Sequence, residues 1–133
     1  LKVVAYKDGK FWATGNVRTT GLAAKLSLET DRSTIANDGR DLAFITLRVA
    51  DEDGLTVPRA DNLIAFEISA SGGIVATDNG DPTDMTSFIS NKRRAFNGLA
   101  LVIVRAKHGQ RGPITLSAKA RDLKTAAVTI NLK

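Results

Sequence analysis

Apolar and polar residues alternate with a period of two along most of this chain, the signature of half-buried strands. In AAKLSLET, Ala24, Leu26 and Leu28 share one face, and Lys25, Ser27 and Glu29 share the other. DLAFITLRVADEDG places Ala43, Ile45, Leu47 and Val49 together, then turns at Asp53-Gly54. NLIAFEISA directs Ile64, Phe66 and Ile68 inward, and a short GGIVATD follows. LALVIVRAK is apolar on both faces, which predicts a central or covered strand. PITLSAKARD opposes Ile114, Leu116, Ala118 and Ala120 to Thr115, Ser117, Lys119 and Arg121. TAAVTINLK repeats the pattern with Ala126, Val128, Ile130 and Leu132. No long window of helical period competes.

The pattern predicts an all-β fold: an immunoglobulin-like antiparallel β-sandwich of about seven strands over residues 23–133. Pro58 and Pro113 fall at strand boundaries, where proline is tolerated. Residues 1–22 stand apart. LKVVAYK and FWATGNVR flank Asp8-Gly9, a strong hairpin signal. A lone hairpin is marginal in water, so this segment is expected to be the terminal hairpin and linker of a preceding domain. The chain also opens on a strand pattern without Met, as an excised piece of a longer protein would.

One stretch breaks the alternation. TDNGDPTDMTSFISNKRRAFNG, Thr77 to Gly98, is polar and carries the tightest basic cluster of the chain. Loops of that length in compact domains are usually functional or disordered. Order is the expectation here. Met85, Phe88, Ile89 and Phe96 supply apolar anchors, Asn79-Gly80 and Asn97-Gly98 supply turns, and Asp78, Asp81 and Asp84 face Lys92-Arg93-Arg94 as ion-pair partners. The candidate loop or docking residues are Asp78, Asn79, Gly80, Asp81, Pro82, Arg93, Arg94, Phe96 and Asn97.

Composition excludes several chemistries. There is no Cys, hence no disulfide, thiolate nucleophile or Cys-ligated zinc. The net charge of +5 invites a nucleic-acid reading, but its distribution opposes one. Residues 28–91 carry a balance of −8 and residues 92–133 one of +9, and a sandwich brings such segments side by side. The longest apolar run, LALVIV, is too short to span a bilayer. Nucleic acid and membrane insertion are therefore not expected.

Catalytic candidates are equally sparse. The three glutamates, Glu29, Glu52 and Glu67, fall on outward strand positions or in a turn, so no fixed acid pair is expected. His108, the single histidine, lies in KHGQRG at a hairpin tip without a partner to position it. The serines lack a nucleophile elbow, and no phosphate-cradling glycine loop opens a helix. Asp78, Asn79, Asp81 and Asp84 are oxygen donors, but their spacing is not that of an EF-hand and suits turn chemistry. No catalytic residue, metal ligand or cofactor is assigned.

The residues carry a resemblance. LKVVAYKDGKFWATG resembles the last hairpin of a domain that follows the catalytic barrel in bacterial glycoside hydrolase family 2 enzymes, the β-galactosidase family. The stretch from DRSTI to LALVIV, Asp31 to Val104, resembles their C-terminal immunoglobulin-like domain, most specifically in NGDP, then a Phe, then R-x-FNG before an apolar strand, with DRSTI and DG-x-DL in support. The resemblance implies a β-galactosidase parent and a non-catalytic accessory role for this chain. Its partners would be the remaining domains of the parent, with carbohydrate as a further candidate. It also implies a periplasmic, cell-surface or secreted location in a bacterium. The alternative is an independent carbohydrate-binding or adhesin-type spacer sandwich, although the sandwich proper lacks Trp and Tyr for sugar stacking.

Overall fold

A computed structural model describes residues 1–133. Eleven strands and no helix make up the chain. They are β1 (Lys2–Lys7), β2 (Lys10–Asn16), β3 (Lys25–Thr30), β4 (Thr34–Ile35), β5 (Leu42–Ala50) and β6 (Leu63–Ile68), followed by β7 (Gly72–Asp78), β8 (Lys92–Arg94), β9 (Leu99–Ala106), β10 (Ile114–Lys119) and β11 (Ala126–Leu132). A five-stranded sheet, ordered β4-β11-β10-β6-β8, faces a four-stranded sheet, ordered β3-β5-β9-β7.

All seven long strands that alternation predicts are present, and their apolar faces meet between the sheets. Ala43, Ile45, Leu47 and Val49 of β5 are fully buried against Ile64 and Phe66 of β6 and Ile114, Leu116 and Ala118 of β10, in one core with Ile130 of β11. Each fully buried Val, Leu or Ile contributes roughly 1.5–3 kcal/mol relative to exposure. β9 lies between β5 and β7, as its two-sided apolar pattern requires. Its Ala100, Val102, Val104 and Ala106 are buried, while Leu101 and Ile103 are half-buried on the outer face.

The structure departs from the sequence expectation in three ways. Two short strands are added: β4 pairs in parallel with β11, so the sandwich is not wholly antiparallel, and β8 pairs with β6. Lys92-Arg93-Arg94 is therefore strand and not loop. Third, the acidic and basic blocks meet through few contacts: Lys119–Glu67 at 2.9 Å, Lys124–Glu52 at 3.1 Å and Arg93–Asp84 at 3.0 Å. The first two pairs are exposed, where such bridges contribute about 0–1 kcal/mol.

β1 and β2 form an antiparallel hairpin that pairs with no other strand. Asp8 and Gly9 both take positive φ, 51° and 74°, as the two-residue turn demands. Tyr6, Phe11 and Trp12 are exposed, and Tyr6 meets Phe11 edge-on with ring centroids 6.5 Å apart. The linker then reaches the sandwich, where the Gly21 N–H donates to Asp51 Oδ2 at 2.9 Å. That bond, with a second to the Leu55 N–H, holds the Asp51 carboxyl below the usual carboxylate range.

Candidate functional site

β7 and β8 are the edge strands on the same side of the two sheets, and the segment between them closes that side. It descends from Asp78 through a chain of Asx turns. Asp78 Oδ1 accepts from the N–H groups of Asn79 (2.7 Å) and Gly80 (3.3 Å). Asn79 Oδ1 accepts from Asp81 N–H at 2.9 Å, and Asp81 Oδ1 from Thr83 N–H at 2.8 Å and its hydroxyl at 2.7 Å. Asp84 Oδ1 accepts from Thr86 N–H at 2.8 Å. Side-chain oxygens thus take the place of the ladder that this polar run lacks. Pro82, exposed, sits inside the turn that Asp84 N–H closes on the Asp81 carbonyl.

The returning limb is wrapped around one side chain. Arg93 is 1% exposed. A guanidinium has five N–H donors, and each finds an acceptor. Nε donates to Thr77 Oγ1 at 3.3 Å, Nη1 to Asp84 Oδ2 at 3.0 Å and to the Thr86 carbonyl at 3.1 Å. Nη2 donates to the carbonyls of Thr77 at 2.6 Å and Ser87 at 2.9 Å. The Phe88 ring lies 5.9 Å from the guanidinium carbon, in cation–π range. Asp84 Oδ2 also accepts from Asn79 Nδ2 at 2.8 Å, which joins the two limbs. Thr86, through its side chain and N–H, and then Arg93 hold the Asp84 carboxyl well below the usual carboxylate range. Backbone bonds finish the closure: Thr77 N–H to the Phe88 carbonyl at 2.7 Å, and Phe66 N–H to the Asn91 carbonyl at 2.8 Å.

Two expectations need correction. Asp78 and Asp81 make no ion pair with the basic run; both are spent on backbone N–H groups, and Arg94 donates instead to the Asp61 carbonyl at 2.9 Å. The ion pair that forms is Arg93–Asp84. The apolar anchors also fail. Met85 is 92% exposed, Ile89 78% and Phe88 62%, and Phe96 is exposed too. The physical reason is shared: carbonyls of residues 86 and 87 point at the buried guanidinium, and the neighbouring side chains are turned to solvent. A polar core, not an apolar one, orders this loop.

The far end of the motif is a tight turn. Asn97 and Gly98 take φ of 53° and 77°, and Phe96 and Leu99 exchange both backbone bonds across them. A Cβ on Gly98 would lie 2.4 Å from the Val57 carbonyl oxygen, so only glycine fits. Between this turn, the loop and β6 lies an open concavity of about 490 Å³. Asp61, Asn79, Asp81, Lys92, Arg94 and Phe96 are among the residues that line it.

Residues 26–129 match the family described as glycoside hydrolase family 2 C-terminal domain 5. This chain belongs to that family. Its hairpin, residues 1–22, lies outside the matched range. Among curated relatives, β-galactosidase BoGH2A of Bacteroides ovatus is 39% identical over 131 residues, 98% of this chain and 15% of that protein. A β-galactosidase of Thermoanaerobacter pseudethanolicus is 35% identical over 75 residues, 56% of this chain and 10% of that protein. Among solved structures, a glycosyl hydrolase family 2 member from Bacteroides cellulosilyticus superposes with a TM-score of 0.93 at 33% identity. That match covers 99% of this chain and 17% of that one. The chain thus spans about one sixth or less of the relatives it matches.

Within this family 2 domain the three glutamates are dispersed. Glu29 faces Arg48 at 3.7 Å, Glu52 faces Lys124 and Glu67 faces Lys119, each on the exposed surface. His108 is exposed in the turn after β9. Sequence reasoning paired Asp84 with the basic run, as the structure does, but missed Thr77, Thr86 and Ser87 as partners of the buried arginine. One signal for it existed: Arg93 and Ala95 continue a period of two between exposed Lys92 and Arg94.

Proposed function

We propose that this chain is a non-catalytic C-terminal accessory domain of a family 2 β-galactosidase. In this reading residues 1–22 end the preceding domain and residues 23–133 are the sandwich, which packs on the enzyme and contributes to its assembly or substrate rim. The observation that carries it is the match of 98% of this chain to 15% of a β-galactosidase at 39% identity. The dispersed, cation-paired glutamates support the non-catalytic half, because retaining hydrolysis needs two carboxyl groups about 5–5.5 Å apart. The exposed aromatic hairpin supports the domain boundary, since its apolar residues find no partner in the sandwich. A periplasmic, cell-surface or secreted location belongs to the same proposal.

The test is a pair of measurements. The isolated chain should leave a nitrophenyl β-galactoside unhydrolysed, and deletion of residues 1–20 should leave the sandwich's melting temperature nearly unchanged. Hydrolysis abolished by a substitution within this chain, or a large drop in melting temperature, would count against the reading.

A second reading, carbohydrate contact by the sandwich, is favoured by the concavity beside β8. Its lining combines donors on Lys92 and Arg94 with acceptors on Asp61 and Asp81, and includes Phe96. Chemical-shift changes at those residues on titration with galacto-oligosaccharides would support it.

A further inference from the structure

We infer that Met85, Phe88 and Ile89 form an apolar tip that seats against another domain of the same polypeptide. The inference rests on the accessory-domain reading above and specifies the surface that does the packing. Within residues 23–133 these are the three most exposed large hydrophobic side chains, at 92%, 62% and 78%; the next, Leu63, is at 52%. They occur within five residues, in the run MTSFISN, which carries no charge. Isolated exposed hydrophobic residues are ordinary, but a cluster of them marks a contact surface.

The tip is also held in place. Asp84, Thr86 and Ser87 are bonded to the buried Arg93, and the Phe88 carbonyl is bonded to Thr77 N–H. A surface fixed in this way loses little conformational entropy on docking. The network that turns these side chains outward takes a buried guanidinium to build, whereas closing the sheet edge alone would be served by apolar residues turned inward.

The choice of occupant follows from charge, shape and length. The Arg93 charge is met by Asp84 behind the tip, so the tip offers no ionic attraction to a polyanion. Sugar stacking asks for a broad aromatic face rimmed by polar groups; here Met and Ile flank the ring, and the guanidinium approaches it within 5.9 Å. An apolar concavity on a protein fits. The matched region is only 15% of the Bacteroides ovatus protein and 17% of the Bacteroides cellulosilyticus one. The rest of such a polypeptide is tethered at high effective concentration, which a second copy is not.

The chain's single Met makes the test direct. Full-length polypeptide is exposed briefly to hydrogen peroxide, native and urea-unfolded, and Met85 sulfoxide is quantified on its peptide by mass spectrometry. Oxidation follows exposure, so a seated Met85 should react about tenfold more slowly in the native protein. Hydroxyl-radical labelling of Trp12 on the same sample separates this inference from the reading beneath it. Equal Met85 rates in the two states, with Trp12 protected, overturn the inference and leave the accessory reading standing. Equal rates with Trp12 unprotected count against both. Protection of Met85 that disappears on dilution assigns the tip to a second copy, and overturns the inference as well.

Discussion

Arg93, on the edge strand of one sheet, donates to both the hydroxyl and the carbonyl of Thr77, on the edge strand of the other. The two strands share no ladder, so this side-chain bridge clamps the open side of the sandwich. The same guanidinium also gathers Asp84, Thr86 and Ser87, so the clamp and the loop are one construction.

Replacing Arg93 should therefore act on both. Arg93→Gln leaves several carbonyls and the Asp84 carboxylate without their donor, and loss of one partner from a buried charged network costs about 3–5 kcal/mol. Arg93→Lys keeps the charge but has three donors where five are used, so it should fall between the wild type and Arg93→Gln. Asp81→Ala removes two exposed bonds to Thr83 and Arg94→Ala a single one to the Asp61 carbonyl, and each should cost about 1–2 kcal/mol or less. Urea unfolding midpoints of the four variants check the order.

Two glycines separate backbone strain from crowding. Gly80 and Gly98 both take positive φ, but a Cβ meets nothing within 4 Å at Gly80 and meets the Val57 carbonyl at Gly98. Gly80→Ala should cost about 1–2 kcal/mol, the ordinary penalty of a left-handed alanine. Gly98→Ala should cost more, because the Val57 backbone must also shift. Thermal melts of the two variants, read side by side, make the comparison.

Acid should loosen the loop through Asp84. Hydrogen bonds from Thr86, and then Arg93, hold its carboxyl well below the usual carboxylate range. A lowered folded-state pKa gives stability that is present above the unfolded value and is lost as pH falls through the folded one. Stability should therefore be flat in this term above about pH 5 and decline below about pH 4. Asp84→Asn should have lower stability at neutral pH and a shallower decline in acid. Melting temperatures from pH 6 to pH 2 give both slopes; parallel curves would count against this role.

The long strands were legible in the sequence because one face of each is buried, and burial writes a period of two into residues such as Ile114, Leu116 and Ala118. β4 and β8 are two and three residues long, too short for a period to stand out, and the one at Arg93 and Ala95 is masked by the charge of its residues. They are fixed by backbone pairing with β11 and β6, which no single segment records. The loop was legible as ordered, but its cause was misread. A run such as Asn91-Lys92-Arg93-Arg94 looks like a solvated charge cluster, because charged residues are rarely fully buried. Only the surrounding carbonyls, supplied by residues six to sixteen positions away, make Arg93 an interior residue. The outward tip of Met85, Phe88 and Ile89 follows from that burial and could not be read without it.

One buried arginine, Arg93, holds residues 79–91 as a fixed surface. Amide hydrogen exchange by NMR on the labelled chain tests it most directly. Thr77 N–H, bonded to Phe88, and Phe66 N–H, bonded to Asn91, report the closure, and Val102 and Leu116 report the core. In the wild type the Thr77 and Phe66 amides should approach the core in protection. In Arg93→Gln their protection should drop while Val102 and Leu116 keep most of theirs. A wild-type chain whose Thr77 amide exchanges as fast as an open loop, or an Arg93→Gln variant with unchanged protection there, would rule out this role for Arg93.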